Sequence, residues 1–206
     1  MKKFYTCIPL QVGGMTPYLY ESAGNQALAT GRKTAFPILA AVEGHCAPGE
    51  AFRVIALGTD VEVVRRNLDV LRAELETLDR EKGLKGELVP VLVPDDSSAV
   101  RQARTFQALI AHAEAGDELF ACMTYGTKPM STALMMAVQY AYRVKENSVI
   151  ACVVYGEIVR KGEDRSLWRG VIHDMTGLIR LDELVWRLAE RGVQDPGAAI
   201  DAVLSL

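Results

Sequence analysis

The run Phe52-Arg53-Val54-Ile55-Ala56-Leu57-Gly58-Thr59-Asp60 decides the fold. Phe52 to Leu57 is short, apolar and rich in strand formers, and a glycine with two capping residues closes it. Thr59 or Asp60 is placed to cap a helix from Val61 to about Lys82, and Glu87 to Val93 reads as the next strand. The same grammar recurs outward in both directions. Upstream, Phe4 to Leu10 reads as a first strand, followed by a long segment to Arg32 and a short helix over Ala35 to Cys46. Downstream come a turn at Pro94 to Ser98, a helix from Ala99 to Ala115, a strand at Leu119 to Met123, a helix from Met130 to Lys145 and a strand from Val149 to Tyr155. Strands separated by helices of this length need right-handed crossovers, so the expected class is α/β: a doubly wound, mainly parallel sheet with helices on both faces. A late hairpin is expected where Arg160 to Arg165 leads into Leu167 to Ile172, then a tail of helices at Leu181 to Arg191 and Pro196 to Leu206. Residues 1–176 are read as one domain and 177–206 as a helical tail or the start of a linker.

Composition narrows the function. With 26 acidic against 23 basic residues and a net charge of −3, the chain has no global field to draw it onto duplex nucleic acid or an anionic membrane. Any anion must be held locally. No apolar run approaches the length that spans a bilayer, and Lys2 and Lys3 lead into Pro9 and Gly13 without a signal-type core, so a soluble, cytoplasmic protein is expected. Cys7, Cys46, Cys122 and Cys152 lack CxxC spacing and read as buried free thiols. His45, His112 and His173 form no metal-binding pattern; no metal site, catalytic residue or cofactor is assigned.

In open parallel sheets ligands collect beyond the carboxyl ends of the strands. The turn Thr124-Tyr125-Gly126-Thr127-Lys128-Pro129-Met130-Ser131-Thr132 is the richest candidate there. Its hydroxyls, the Lys128 ammonium and the helix N-terminal amides suit a phosphate, whereas an ordinary cap explains Thr127 and Pro129 equally well. It lacks Walker A spacing, and no GxGxxG follows the first strand. The loop after that strand carries Gly13, Gly14, Thr16, Tyr18 and Tyr20, with Thr34 at its end. Glycines permit close backbone approach and tyrosines stack on bases, but Tyr18 and Tyr20 also fit an extra strand. Glu43 with His45, and Asp95 with Asp96, read as a helix end and a turn rather than as acid/base or Mg²⁺ sites.

Phe120 to Glu157, with its strand, Thr124-Tyr125-Gly126-Thr127-Lys128-Pro129 turn, apolar helix and second strand, resembles the hallmark region of CRISPR-associated Rossmann-fold (CARF) domains. Those sensors carry a turn of the form D-x-T-x-G-x-[KR]-x-x. Thr124, Gly126 and Lys128 match it, and Cys122 stands where the acid is expected. The layout of Tyr5 to Leu10, Lys33 to Ile38 and Val54 to Thr59 agrees, so the likeness covers about residues 4–176.

The resemblance implies a Rossmann-like homodimer that binds cyclic tetra- or hexa-adenylate across its two-fold axis, as the sensor of a type III CRISPR antiviral response. Carried onto this chain, the ligand-binding set is Gly13, Gly14, Thr16, Tyr18, Thr34, Thr59, Thr124, Gly126, Thr127, Lys128, Pro129 and Ser131. The segment 130–144 becomes a candidate dimer face. Relatives usually join this sensor to a nuclease or deaminase effector, for which residues 177–206 leave no room. A sensor portion of a longer protein, a free-standing sensor and a ring nuclease that cleaves the messenger all fit; a small-molecule enzyme of Rossmann type is the rival from another class.

Overall fold

The computed structural model describes residues 1–162, 164 and 168–205. Of the expected hairpin, Glu163, Arg165 and Leu167 lie outside the described residues, as does Leu206 of the tail. Contacts divide the chain into two units, Met1–Asp174 and Met175–Leu206.

The first unit is a seven-stranded α/β sandwich. Its strands are β1 (Lys2–Cys7), β2 (Tyr20–Ala23), β3 (Ala51–Thr59), β4 (Lys85–Val93), β5 (Glu118–Cys122), β6 (Val149–Val159) and β7 (Arg169–Asp174). Its helices are α1 (Ile38–His45), α2 (Glu62–Lys82), α3 (Ala99–Ile110) and α4 (Lys128–Val144). The sheet order is β2-β7-β6-β5-β1-β3-β4, parallel at every step except the antiparallel hairpin of β6 and β7. This is the doubly wound Rossmann-like arrangement that the alternation of strand and helix predicts.

The period of two along each strand divides the core between the faces. Phe4, Phe52, Val54, Ala56 and Phe120 point one way, into a cluster with Ile38, Leu39 and Val42 of α1 and Leu68, Leu71, Leu75 and Leu78 of α2. Phe4 and Phe120 stack at 4.4 Å, and Phe52 meets Phe4 edge-on at 5.4 Å. Alternate residues Tyr5, Ile55, Leu57, Leu119, Ala121 and Val153 are equally buried and lie outside that cluster. α4 buries the stripe Met130, Ala133, Leu134, Ala137, Val138 and Ala141, contacts β1, β5 and β6, and packs against α3. At the amino-terminal end of the sheet, Lys3 is wholly enclosed, its Nζ 2.8 Å from Asp117 Oδ2 and 2.8 Å from Glu114 Oε2.

Several boundaries differ from expectation. β1 stops at Cys7 because Pro9 has no amide to donate, although the Ile8 amide still bonds to the Leu57 carbonyl at 2.7 Å. α3 ends at Ile110 rather than Ala115, where the Asp117 carboxylate accepts the Glu114 amide at 2.7 Å and turns the chain into β5. β6 runs on to Val159 because β7 pairs with its far half. The stretch after β1 contains a strand of its own: β2 pairs in parallel with β7, and Tyr18 bridges to Thr34.

The second unit is a helix pair, α5 (Thr176–Glu190) and α6 (Pro196–Leu204), with Asp195 accepting the Ala198 amide at 2.9 Å to cap α6. α5 starts five residues ahead of the expected Leu181. No residue of either helix is buried within the unit's described residues. Among the described residues, no helix is long and apolar enough to cross a membrane.

Candidate functional site

The chain builds from β1 to β3 and β4 on one side, then crosses to place β5 and β6 on the other, so strand order reverses between β1 and β5. At such a switch point two connections leave in opposite directions and open a crevice. A cavity of about 440 Å³ lies there, lined by Gln11, Met15, Thr16, Tyr18 and Tyr20 from the segment after β1, Thr124 and Tyr125 from the turn after β5, and Gly156, Ile158, Arg160 and Trp168 from the β6–β7 hairpin.

Thr124 is the best organised polar group in this cavity. Its Oγ1 accepts the Gly156 amide at 2.8 Å and the Cys122 thiol at 3.2 Å. Burial pushes the Cys122 thiol up, so the sulfur keeps the proton it donates. A hydroxyl has two lone pairs and one proton; both lone pairs of Thr124 are engaged by the protein, which leaves the proton to donate. Gly156 allows this approach, since a Cβ there would sit 2.4 Å from Pro37 Cγ. Tyr125 supplies a wall rather than a donor: its hydroxyl donates to the Ala35 carbonyl at 2.7 Å, its ring meets Phe36 edge-on, and burial pushes its phenol up. Tyr20, 2% exposed, forms the floor.

The rest of the turn is spent on holding its own shape. Gly126 has φ +99°, and a Cβ there would lie 2.8 Å from both Cβ and Sγ of Cys7. Thr127 caps α4, accepting the Met130 amide at 3.4 Å, and Ser131 Oγ donates to the Tyr125 carbonyl at 3.2 Å. Lys128 and Pro129 line a different depression, an apolar groove of about 560 Å³ between α3 and α4 with Phe106, Ala133 and Met136. Thr127, Lys128 and Ser131, expected to converge on one anion, are engaged separately here, by the cap, the groove and the turn.

The other sequence candidates separate in the same way. Thr16, Tyr18 and Thr124 share the cavity. Gly13 and Gly14 line a smaller depression of about 250 Å³ against Val63, Arg66 and Asn67 of α2. Thr34 is 1% exposed, its hydroxyl donating to Glu74 and accepting the Phe36 amide at 3.0 Å, while its backbone exchanges two bonds with Tyr18. Thr59 is 3% exposed and directs its hydroxyl at Met130 Sδ, 3.6 Å away. These two support the site's frame and do not face the cavity.

Arg160 and Trp168 were absent from the sequence candidates. The guanidinium carbon lies 5.1 Å from the centre of the indole, whose Nε1–H donates to the Gly162 carbonyl at 3.2 Å. Positions 156, 158 and 160 follow the period of two that assigns one strand face. That was the legible signal, hidden because β6 was read as ending at Tyr155. Among the described residues, no group of three His, Cys, Asp or Glu side chains is arranged to hold a metal ion. No family model matches the chain, and no curated protein matches it either.

Proposed function

We propose that this protein is a cytoplasmic sensor that binds cyclic oligoadenylate, a cyclic tetra- or hexa-adenylate, as part of a type III CRISPR antiviral response, and that it does so as a homodimer. The observation that carries the reading is the cavity at the switch point between β1 and β5, with the Thr124 hydroxyl poised to donate into it. The resemblance of residues 120–157 to the CARF hallmark supplies the ligand class, and the lining chemistry suits it. Tyr18 and Trp168 offer aromatic surface to a base, Thr16, Thr124 and Gln11 offer hydrogen-bonding groups, and Arg160 offers a positive charge to a phosphodiester.

Binding is favoured over cleavage of the ring by the same lining, whose described residues include no carboxylate or imidazole to act as a general base. A two-fold symmetric ring suits an isologous dimer, since each protomer supplies the same few donors to half of the ligand. The apolar groove between α3 and α4, with Met136 exposed beside it, is the face assigned to the partner copy.

Isothermal titration calorimetry with cyclic tetra-adenylate and cyclic hexa-adenylate tests the reading. Saturable binding of one ring per two chains is expected, with the ring recovered intact afterwards. Absence of heat with both rings at micromolar protein refutes it, and a linear product after incubation would move the assignment to a ring nuclease.

A further inference from the structure

The turn that carries Lys128 was the obvious source of a phosphate-binding cation, yet Lys128 lines the α3–α4 groove and Arg160 lines the cavity. We propose that Arg160, held over the ring of Trp168, is the cation that takes a ligand phosphate in this cavity, with Trp168 as its positioning residue. The assignment rests on the reading of the cavity as an adenylate site.

Three observations carry it. First, the guanidinium carbon lies 5.1 Å from the centre of the indole, over its ring, so the contact is a cation–π one made with the ring and not with a hydrogen-bond acceptor. A guanidinium carries five N–H donors in a fixed fork, so a single ring contact leaves donors for two phosphate oxygens. Second, the indole is itself fixed, since Nε1–H donates to the Gly162 carbonyl at 3.2 Å. The platform is thus tied to the hairpin before any ligand arrives, and less side-chain freedom is lost on binding than with a solvated lysine. Third, the acids on neighbouring strands are turned to other partners. Glu157 faces His173 at 3.3 Å, and Glu21 pairs with Arg169 at 2.9 Å. Glu157 also occupies the strand position between 156 and 158, on the opposite face from the cavity.

The size of the cavity adds a constraint. At about 440 Å³ it lies toward the small end of ligand pockets, the size for one nucleotide unit rather than a whole ring. One base would lie against the aromatic wall of Tyr18 and Trp168, its phosphate at Arg160 and a hydrogen-bonding edge at Thr124.

Calorimetric titration of wild type, Arg160→Gln, Arg160→Lys and Lys128→Gln with cyclic tetra-adenylate, cyclic hexa-adenylate and 5′-AMP tests this. Arg160→Gln should bind about 10- to 100-fold more weakly, the effect of losing a charge-assisted pair. Its affinity should also respond less to added salt than the wild type's. Arg160→Lys should recover part of the loss, and Lys128→Gln should bind as wild type does. Trp168→Phe, which keeps a ring under the guanidinium, should retain more affinity than Trp168→Leu while both melt as wild type does; equal affinity in the two would remove the positioning role. If a ring binds wild type and Arg160→Gln equally, the assignment of Arg160 is overturned and the adenylate reading stands. If only 5′-AMP binds, and does so through Arg160, the clamp stands and the ring reading falls. If none of the three ligands binds wild type, both fall.

Discussion

Replacing Thr124 by valine separates what this side chain does for the fold from what it does for a ligand. Valine keeps the branched shape and removes the oxygen that accepts the Gly156 amide at 2.8 Å and the Cys122 thiol at 3.2 Å. Gly156 is buried, so its N–H would be stranded away from water. A stranded buried donor costs about 1–3 kcal/mol, while the thiol is a weak donor and adds little. For a domain of this size, roughly 2–4 °C of melting temperature follows each kcal/mol, so a fall of roughly 4–8 °C is expected at the middle of that range. Thr124→Ser keeps the oxygen and should lose less than about 1 kcal/mol through the missing methyl. Urea unfolding of the three proteins, followed by circular dichroism, reads the difference, and calorimetry on the folded variants reads the ligand. Thr124→Val should bind cyclic oligoadenylate at least about tenfold more weakly than Thr124→Ser, because only serine retains the proton to donate. A Thr124→Val protein as stable as Thr124→Ser would refute the hydrogen-bond account of the turn, and equal affinities would refute the donor role.

Other outcomes follow from the same contacts. Gly126→Ala should cost about 2–4 kcal/mol, adding the strain of a positive φ to overpacking against Cys7, and an unchanged urea midpoint would contradict the geometry. Lys3→Met leaves the buried Asp117 only the N-terminal ammonium at 3.5 Å and the Glu114 amide and should cost about 3 kcal/mol, whereas Lys3→Met with Asp117→Asn should recover a large part; equal losses in the two would show that the pair is not coupled. Glu50 is held below its ordinary value of 4.5 chiefly by the hydrogen bond from Lys2, with help from the Ala47 amide. A depressed carboxyl stabilises the fold above its unfolded value and loses that contribution as the pH falls through its folded one, so Glu50→Gln should flatten the stability profile below about pH 4.5. Superimposable acid limbs for the two proteins would rule this out.

How much was legible depended on how far apart the interacting residues lie. The unit from Phe52 to Val93 was readable because its signals are local: an apolar run, a glycine and a helical stripe; the expected cap by Thr59 or Asp60 does not form, since Val61 stands at the N-cap with no side-chain bond. Strand β2 was legible only as one of two readings of Tyr18 and Tyr20, because four residues give too little of a period to register, and their partner lies in β7 at the other end of the unit. The same distance hid the fate of Thr34, which depends on Glu74 from α2. Thr124 was placed in the crevice by its position after a buried strand. Lys128, four residues on, stands in the first turn of α4, where it lines the α3–α4 groove. Arg160 lies past Tyr155, where β6 was expected to end; the pairing of β6 with β5 stops at Val154, and the antiparallel partner that prolongs it comes later in the chain.

The parallel pairing of β2 with β7 brings together segments about 150 residues apart, through only four residue pairs, at an outer edge of the sheet. Closing so long a loop gains little until β5, β6 and β7 are in place, so this seam is among the last parts of the sheet to form and the first to part. The amides of Glu21 and Ile172, which face across the seam, should therefore exchange with deuterium well ahead of those of Ile55 and Ala121 in the central strands; equal protection would contradict this. Tyr18 and Tyr20 stand on one side of the seam and Arg160 and Trp168 on the other. The two walls of the cavity thus belong to pieces of chain that meet only when folding is nearly done, and a ligand gripping both would fasten the edge the sheet holds least firmly.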